Sequence, residues 1–206
     1  MIKVLIDTHI DALDVEGAMS LLSEQRREKV REIRHEGTRR QSVAAYLLLC
    51  KALGMEKPVF TFTETGKPLL RDHPEVHFSM SHCRGAVAVA VSDRPVGIDI
   101  ESVRERLDAS LVRYTMNDDE VREIEGAEHR ETAFMRLWTR KEALVKMTGE
   151  GISDSMRNTL TDRHDVKFSC HDRDGFICTV CRERSEKESL DARLEQIGMC
   201  ASAHKA

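Results

Sequence analysis

VGIDIE (residues 96–101) closes an apolar, strand-like run, GAVAVAVSDRP (85–95), with two carboxylates separated by a single residue. Strand side chains alternate faces, so Asp99 and Glu101 emerge on one side while Ile98 and Ile100 enter a core on the other. Like charges side by side on one face are mildly destabilising. Solvent must screen the pair, or something positive must sit between its members.

Working outward, PVFTFTETGKPLL (58–70) and VHFSMSH (76–82) read as short strands and turns before this segment. Further upstream, VEGAMSLLSEQRREKVREIRHEG (15–37) has apolar residues at helical intervals and Glu24, Glu28, Glu32 and Glu36 at every fourth position, which predicts one charged amphipathic helix. TRRQSVAAYLLLCKALG (38–54) predicts a second, more buried helix with Thr38 as its N-cap and Gly54 beyond its end. Downstream, Asn117 followed by Asp118, Asp119 and Glu120 starts another helix. A long helical pattern covers 129–148 and stops at Gly149 and Gly151. VKFSCH (166–171) and FICTVC (176–181), joined by DRDG, predict a hairpin, and a polar tail follows from residue 183.

Helices followed by strands thus occur twice, which predicts an α+β fold of two similar α/β halves, residues 1–101 and 102–206. The junction places the carboxylates of VGIDIE near a cleft between halves, where ligand sites are common.

At 206 residues with 33% charged side chains, the chain is long enough for an ordinary globular core. Its formal charge of -4 predicts no general affinity for nucleic acid. MIKVLIDTHIDALD lacks the apolar segment and cleavage site of a signal peptide, and no window reaches membrane-spanning length. Cysteines 50, 83, 170, 178, 181 and 200 have no framework-like spacing, which predicts reduced thiols in a cytoplasmic protein. Cys178 and Cys181 form a CxxC, but on a strand they face opposite ways, and no second pair completes a zinc site.

Chemistry concentrates in four segments. In RLWTRKEALVKMTGEG (136–151), Trp138, Glu142 and Lys146 are spaced by four and share a helix face; alone, this reads as a surface ion pair beside a core tryptophan. Joined to VGIDIE, it becomes three carboxylates and a lysine. Mg²⁺ takes oxygen ligands and commonly combines a few carboxylates with substrate phosphates, so Asp99, Glu101 and Glu142 can supply the protein's share. Ser81 and His82 are neighbours on a strand and point apart, and no GxSxG elbow is present, which argues against a Ser-His hydrolase. TGKP (65–68) forms a tight turn with Lys67 held by Pro68, an anion clamp if phosphate lies near.

GKP, FSMSH, VGIDIE and WTRKEALVK occur in an order and at intervals that resemble the 4'-phosphopantetheinyl transferases, in their larger, surfactin-synthetase-activator-like form. The resemblance runs from about residue 24 to residue 151, and the hairpin near 166–182 fits it as well. It implies a monomer of two halves related by a pseudo-twofold axis, with the active site in the cleft between them. It implies transfer of the phosphopantetheine arm of coenzyme A to a serine hydroxyl of an apo acyl or peptidyl carrier protein, releasing adenosine 3',5'-bisphosphate. Mg²⁺, or Mn²⁺, is then held by Asp99, Glu101 and Glu142; Glu142 also accepts the serine proton, and Lys146 meets the phosphates. Ser81 and His82 match residues that touch coenzyme A phosphate, and Gly66, Lys67 and Pro68 match the turn at its adenine and phosphate end. Lys29 and Arg40 are the matches for the 3'-phosphate, with Arg26 and Arg39 as near neighbours. Lys141 is left between the same region and solvent. The rival readings are a metal-dependent nuclease and a non-catalytic module that binds coenzyme A or a carrier. No nucleic acid and no membrane are expected as partners.

Overall fold

The structure is a computed structural model that describes residues 1–103, 105–151 and 156–185. The polar tail from residue 186 and Cys200 lie outside the described residues. The helices are α1 (Val15–Ala18), α2 (Glu24–Glu32), α3 (Glu36–Leu53), α4 (Ala109–Thr115), α5 (Asp118–Gly126) and α6 (Arg130–Thr148). The strands are β1 (Ile2–Asp7), β2 (Phe60–Phe62), β3 (Pro68–Leu70), β4 (His77–Cys83), β5 (Ala86–Ser92), β6 (Val96–Ser102), β7 (Val166–Arg173) and β8 (Phe176–Glu183). They form an antiparallel sheet in the order β1-β5-β4, a β2-β3 hairpin, and a second antiparallel sheet in the order β6-β8-β7. The chain is therefore a mixed α+β fold.

The AVAVAV of β5 explains how the layers meet. Its valines turn to α3: Val89 packs with Tyr46 and Leu49, and Val87 with Ala44 and Ala45. Its alanines, Ala86, Ala88 and Ala90, turn the other way onto Ile98, Ile100, Cys178 and Val180 of the second sheet. Small side chains on one face and branched ones on the other let a sheet approach a second sheet while still filling the space beneath a helix. The far face of the second sheet is covered by α6, whose Leu144 and Met147 pack with Cys181. The order across the molecule is α3, sheet, sheet, α6.

Two helix expectations need correction. The segment 15–37 is not one helix: Ser23 interrupts it, and its hydroxyl accepts from the Arg26 N–H to cap α2. A buried serine at the start of a charged stretch satisfies orphan donors better as a cap than as a helix interior residue. Thr38 does not cap α3; the cap is His35, three residues earlier, whose Nδ1 accepts from the Thr38 N–H. Gly54 and Gly149 end α3 and α6 in the left-handed conformation as expected. Asn117 forms a full capping box with Glu120.

Strand β6 pairs with β8 along its whole length, Val96 opposite Arg182 through Ser102 opposite Phe176. A division by sheets thus falls between β5 and β6 rather than after Glu101. The other edge of β6 runs beside β4 without a backbone ladder. There the Ile98 N–H donates to the Ser79 hydroxyl at 3.1 Å, so a side chain stands where a neighbouring strand's carbonyl would be.

Candidate active site

Gly97 sets the distance between β6 and α6. A Cβ at this position would lie 1.8 Å from the Ala143 carbonyl oxygen and 2.6 Å from the Met147 nitrogen. No side chain fits there, so the strand lies directly on the helix backbone. Two residues on, Asp99 emerges on the same face as Gly97 and meets Glu142 and Lys146. The glycine of VGIDIE is therefore part of the site's construction, and its only sequence signal is a glycine inside an otherwise apolar strand.

Asp99 is 2% exposed. Its Oδ1 accepts from the Lys146 ammonium at 2.6 Å and from the Ser81 hydroxyl at 2.7 Å, and Lys146 also donates to Ser81 at 2.9 Å. Its Oδ2 is buried and has no hydrogen-bond partner among the described residues. Glu142 is 9% exposed, and its carboxyl is pushed above the usual range by burial and by the Asp99 charge, with Lys146 opposing. Two buried carboxylates that raise each other's cost, one with an orphaned oxygen, want a cation. Beneath them, Thr139 and Thr179 share a buried hydrogen bond of 2.8 Å that ties α6 to β8.

The expected trio of metal ligands is not assembled as a trio. Among the described residues, no three His, Cys, Asp or Glu side chains stand close enough to grip one ion. Glu101 sits a strand step further along β6, half-buried, and its charge is felt at Cys83, whose thiol is pushed up to about 12 by burial and then by Glu101. The orphaned Asp99 Oδ2 and the neighbouring Glu142 do fit a divalent cation, with water and substrate oxygens completing its shell.

Glu142 and Lys146 line a cleft of about 310 Å³ together with Gly66, Lys67 and Pro68. The GKP turn and the end of α6 thus share a cavity. Lys67, however, is not a free anion clamp. Its ammonium donates to the Met147 carbonyl at 2.5 Å, and Thr65 donates to the Gly149 carbonyl at 2.5 Å. Both satisfy orphan acceptors at the negative end of α6. Burial lowers the Lys67 pKa.

Ser81 also departs from expectation. It is 5% exposed and holds Asp99 rather than standing open to a ligand. His82, on the other face of β4, is exposed, and its pKa is lowered by partial desolvation and by the charges of Lys146 and Arg26. Arg26 is therefore the early-helix cation whose field reaches His82. Its guanidinium donates to the Ser42 carbonyl and lies 5.6 Å over the Tyr46 ring. Lys29 instead stands 5.8 Å over the exposed Phe62 ring. Arg40 pairs with Glu36 at 2.6 Å and lines a different cleft, of about 520 Å³, with His35, Gln41 and Arg84. The structure does not bring Lys29 and Arg40 to the cleft beside Lys146, and Arg39 pairs with Glu16 at 3.8 Å.

Lys141 lies neither in the cleft nor in solvent. It is 0% exposed, and its ammonium donates to Glu120 Oε2 and to the carbonyls of Thr115, Met156 and Arg157, all within 2.7–2.9 Å. Cys178 and Cys181 are buried on opposite faces of β8 with thiols pushed up to about 12, chiefly by burial, as core cysteines should be.

Comparison with known proteins converges on one family. Residues 95–196 match the model of the 4'-phosphopantetheinyl transferase superfamily. A 4'-phosphopantetheinyl transferase of Bacillus pumilus is 41% identical over 104 residues, 50% of this chain and 44% of that protein. One from Bacillus subtilis is 27% identical over 179 residues, covering 82% of this chain and 80% of the relative. One from Salmonella typhi is 37% identical over 119 residues, 55% of this chain and 62% of the relative. The alignment to the Bacillus pumilus protein thus spans less than half of its length.

Proposed function

We propose, from the premise that the chain belongs to the 4'-phosphopantetheinyl transferase superfamily, that it moves the phosphopantetheine arm of coenzyme A onto a serine hydroxyl of an apo acyl or peptidyl carrier protein. The observation that carries this reading is the buried Asp99 and Glu142 pair, with Lys146 beside it, at the wall of the cleft shared with the GKP turn.

In this reading the serine oxygen attacks the phosphorus that bears the pantetheine arm. The bond from that phosphorus to the bridging oxygen breaks, and adenosine 3',5'-bisphosphate leaves with the electron pair. The serine proton passes to Glu142, directly or through one water. Burial and the Asp99 charge raise the affinity of this carboxylate for a proton, which suits a general base. Asp99 and Glu142 would hold Mg²⁺ or Mn²⁺, which when bound would neutralise charge on the diphosphate; Glu101, further along the strand, is assigned to the ion by resemblance alone. Lys146 meets the phosphates. His82 and Arg26 offer positive charge at the neighbouring strand end, and Gly66 and Pro68 line the cavity that receives the rest of the nucleotide. Lys29 and Arg40 remain assigned to the 3'-phosphate by resemblance alone.

The same reading has two α/β halves about a pseudo-twofold axis, each a three-stranded sheet with a long helix, α3 or α6. The protein works as a cytoplasmic monomer on carrier proteins, without nucleic acid or membrane. The formal charge of -4 favours a protein partner over nucleic acid. Among the described residues, no helix is long and apolar enough to cross a membrane.

The test is mass spectrometry of apo carrier proteins incubated with the protein, coenzyme A and Mg²⁺. A gain of one phosphopantetheine supports transfer. Unchanged mass across acyl and peptidyl carriers contradicts it.

A further inference from the structure

We infer that Lys146 is a resident counter-ion of the carboxylate pair, which competes with the divalent cation for Asp99 and is handed to the phosphates when that cation arrives. The inference rests on the transferase reading for the identity of the incoming anion, and on the structure for the rest. Lys146 reaches Asp99 Oδ1 at 2.6 Å from the next turn of α6 beyond Glu142, on the face that borders the cleft. Its side chain is 29% exposed, against 3% for Asp99, so the ammonium can turn outward while the carboxylate stays where it is. Ser81 makes that possible. Its hydroxyl donates to the same Oδ1 at 2.7 Å and would keep the carboxylate's orientation after the lysine has gone.

Charge counting gives the order of events. Asp99 and Glu142 carry two negative charges, and Lys146 cancels one. A divalent cation cancels both, so the lysine becomes surplus at the pair and is released with its charge intact. The surplus is then available to an anion in the cleft. His82 and Arg26, from β4 and α2, are of the same sign or neutral and offer the ammonium no anchor of their own. Cation and coenzyme A should therefore bind with positive coupling, each raising the other's affinity by the same factor.

The experiment is Mn²⁺ titration of the coenzyme-free protein, with free Mn²⁺ followed by electron paramagnetic resonance and folding checked by circular dichroism. Lys146→Met removes the competitor and should tighten Mn²⁺ binding by about tenfold or more, while reducing the coupling to coenzyme A to the part carried by the cation's own attraction for the diphosphate. Lys146→Arg keeps the charge and should leave Mn²⁺ binding as weak as in the unaltered protein. If Lys146→Met fails to fold, Lys146→Gln, which can still bond Ser81, serves in its place. Mn²⁺ affinity that is equal or weaker in the neutral variant overturns the handover, as does the absence of Mn²⁺ binding by either protein. Carrier loading by the unaltered protein is measured separately. Loading with no tightening in the variant removes the handover and leaves the transferase reading standing.

Discussion

Helix α6 carries two lysines five residues apart, and each makes a short bond to a carboxylate, yet the two regions are built to opposite rules. Lys141 and Glu120 are both buried, at 0% and 9% side-chain exposure, and the ammonium meets three carbonyls besides. Those carbonyls come from the end of α4 and from the segment at Met156 and Arg157, while Glu120 also closes the capping box of α5. The side chains of Lys146 and Asp99 are 29% and 3% exposed, one oxygen of the aspartate has no partner among the described residues, and the carboxylate of Glu142 adds to the imbalance. A buried charge with every partner supplied holds structure together. One left short of partners beside a cleft is prepared for a ligand.

Replacing Lys141 by Met should break this comparison if it is wrong. The account expects a loss of about 3–5 kcal/mol in chemical unfolding, because Glu120 and three carbonyls lose a shared donor in the interior. Transfer per folded molecule should change little. If stability is kept and transfer is lost, Lys141 belongs with Lys146.

Gly97→Ala probes the contact that holds the two carboxylates together. A Cβ 1.8 Å from the Ala143 oxygen forces the strand off the helix, at roughly 1–3 kcal/mol or more. Because the shift separates Asp99 from Glu142, transfer should fall more than stability alone explains. A variant with normal unfolding and normal transfer would refute the close approach.

Lys67→Met tests the smallest difference. Its bond to the Met147 carbonyl joins the GKP turn to the end of α6, and its removal should cost about 1 kcal/mol in thermal unfolding. Loss of coenzyme A affinity with stability unchanged would restore Lys67 to the role of a phosphate contact.

Sequence reading went furthest where chemistry and period agree. The spacing of Trp138, Glu142 and Lys146 placed the last two on one helix face, and the alternation in VGIDIE aimed Asp99 at them. The hairpin, the helix start at Asn117 and the glycine ends of the helices were legible for the same reason, since each depends on residues near in sequence. What could not be read depends on contacts distant in sequence. Lys141 looks like any helix lysine until Thr115, Glu120, Met156 and Arg157 are brought around it. Ser81 looks like a ligand contact until Asp99 arrives to use its hydroxyl. The pairing of β6 with β8 was hidden because the two strands lie far apart in the chain and nothing in either names its partner. Lys29 and Arg40 were assigned by resemblance alone, and a position along a helix says little about which cleft a long side chain reaches.

The most direct test is carrier loading by Asp99→Asn, measured by mass shift per folded molecule in the presence of coenzyme A and Mg²⁺. The substitution keeps the size of the side chain and removes the charge that Lys146 and the cation require. The account predicts a protein as well folded as the parent that loads its carrier at least roughly 10²–10³-fold more slowly. Loading at the parent's rate would mean that the reaction does not pass through this carboxylate.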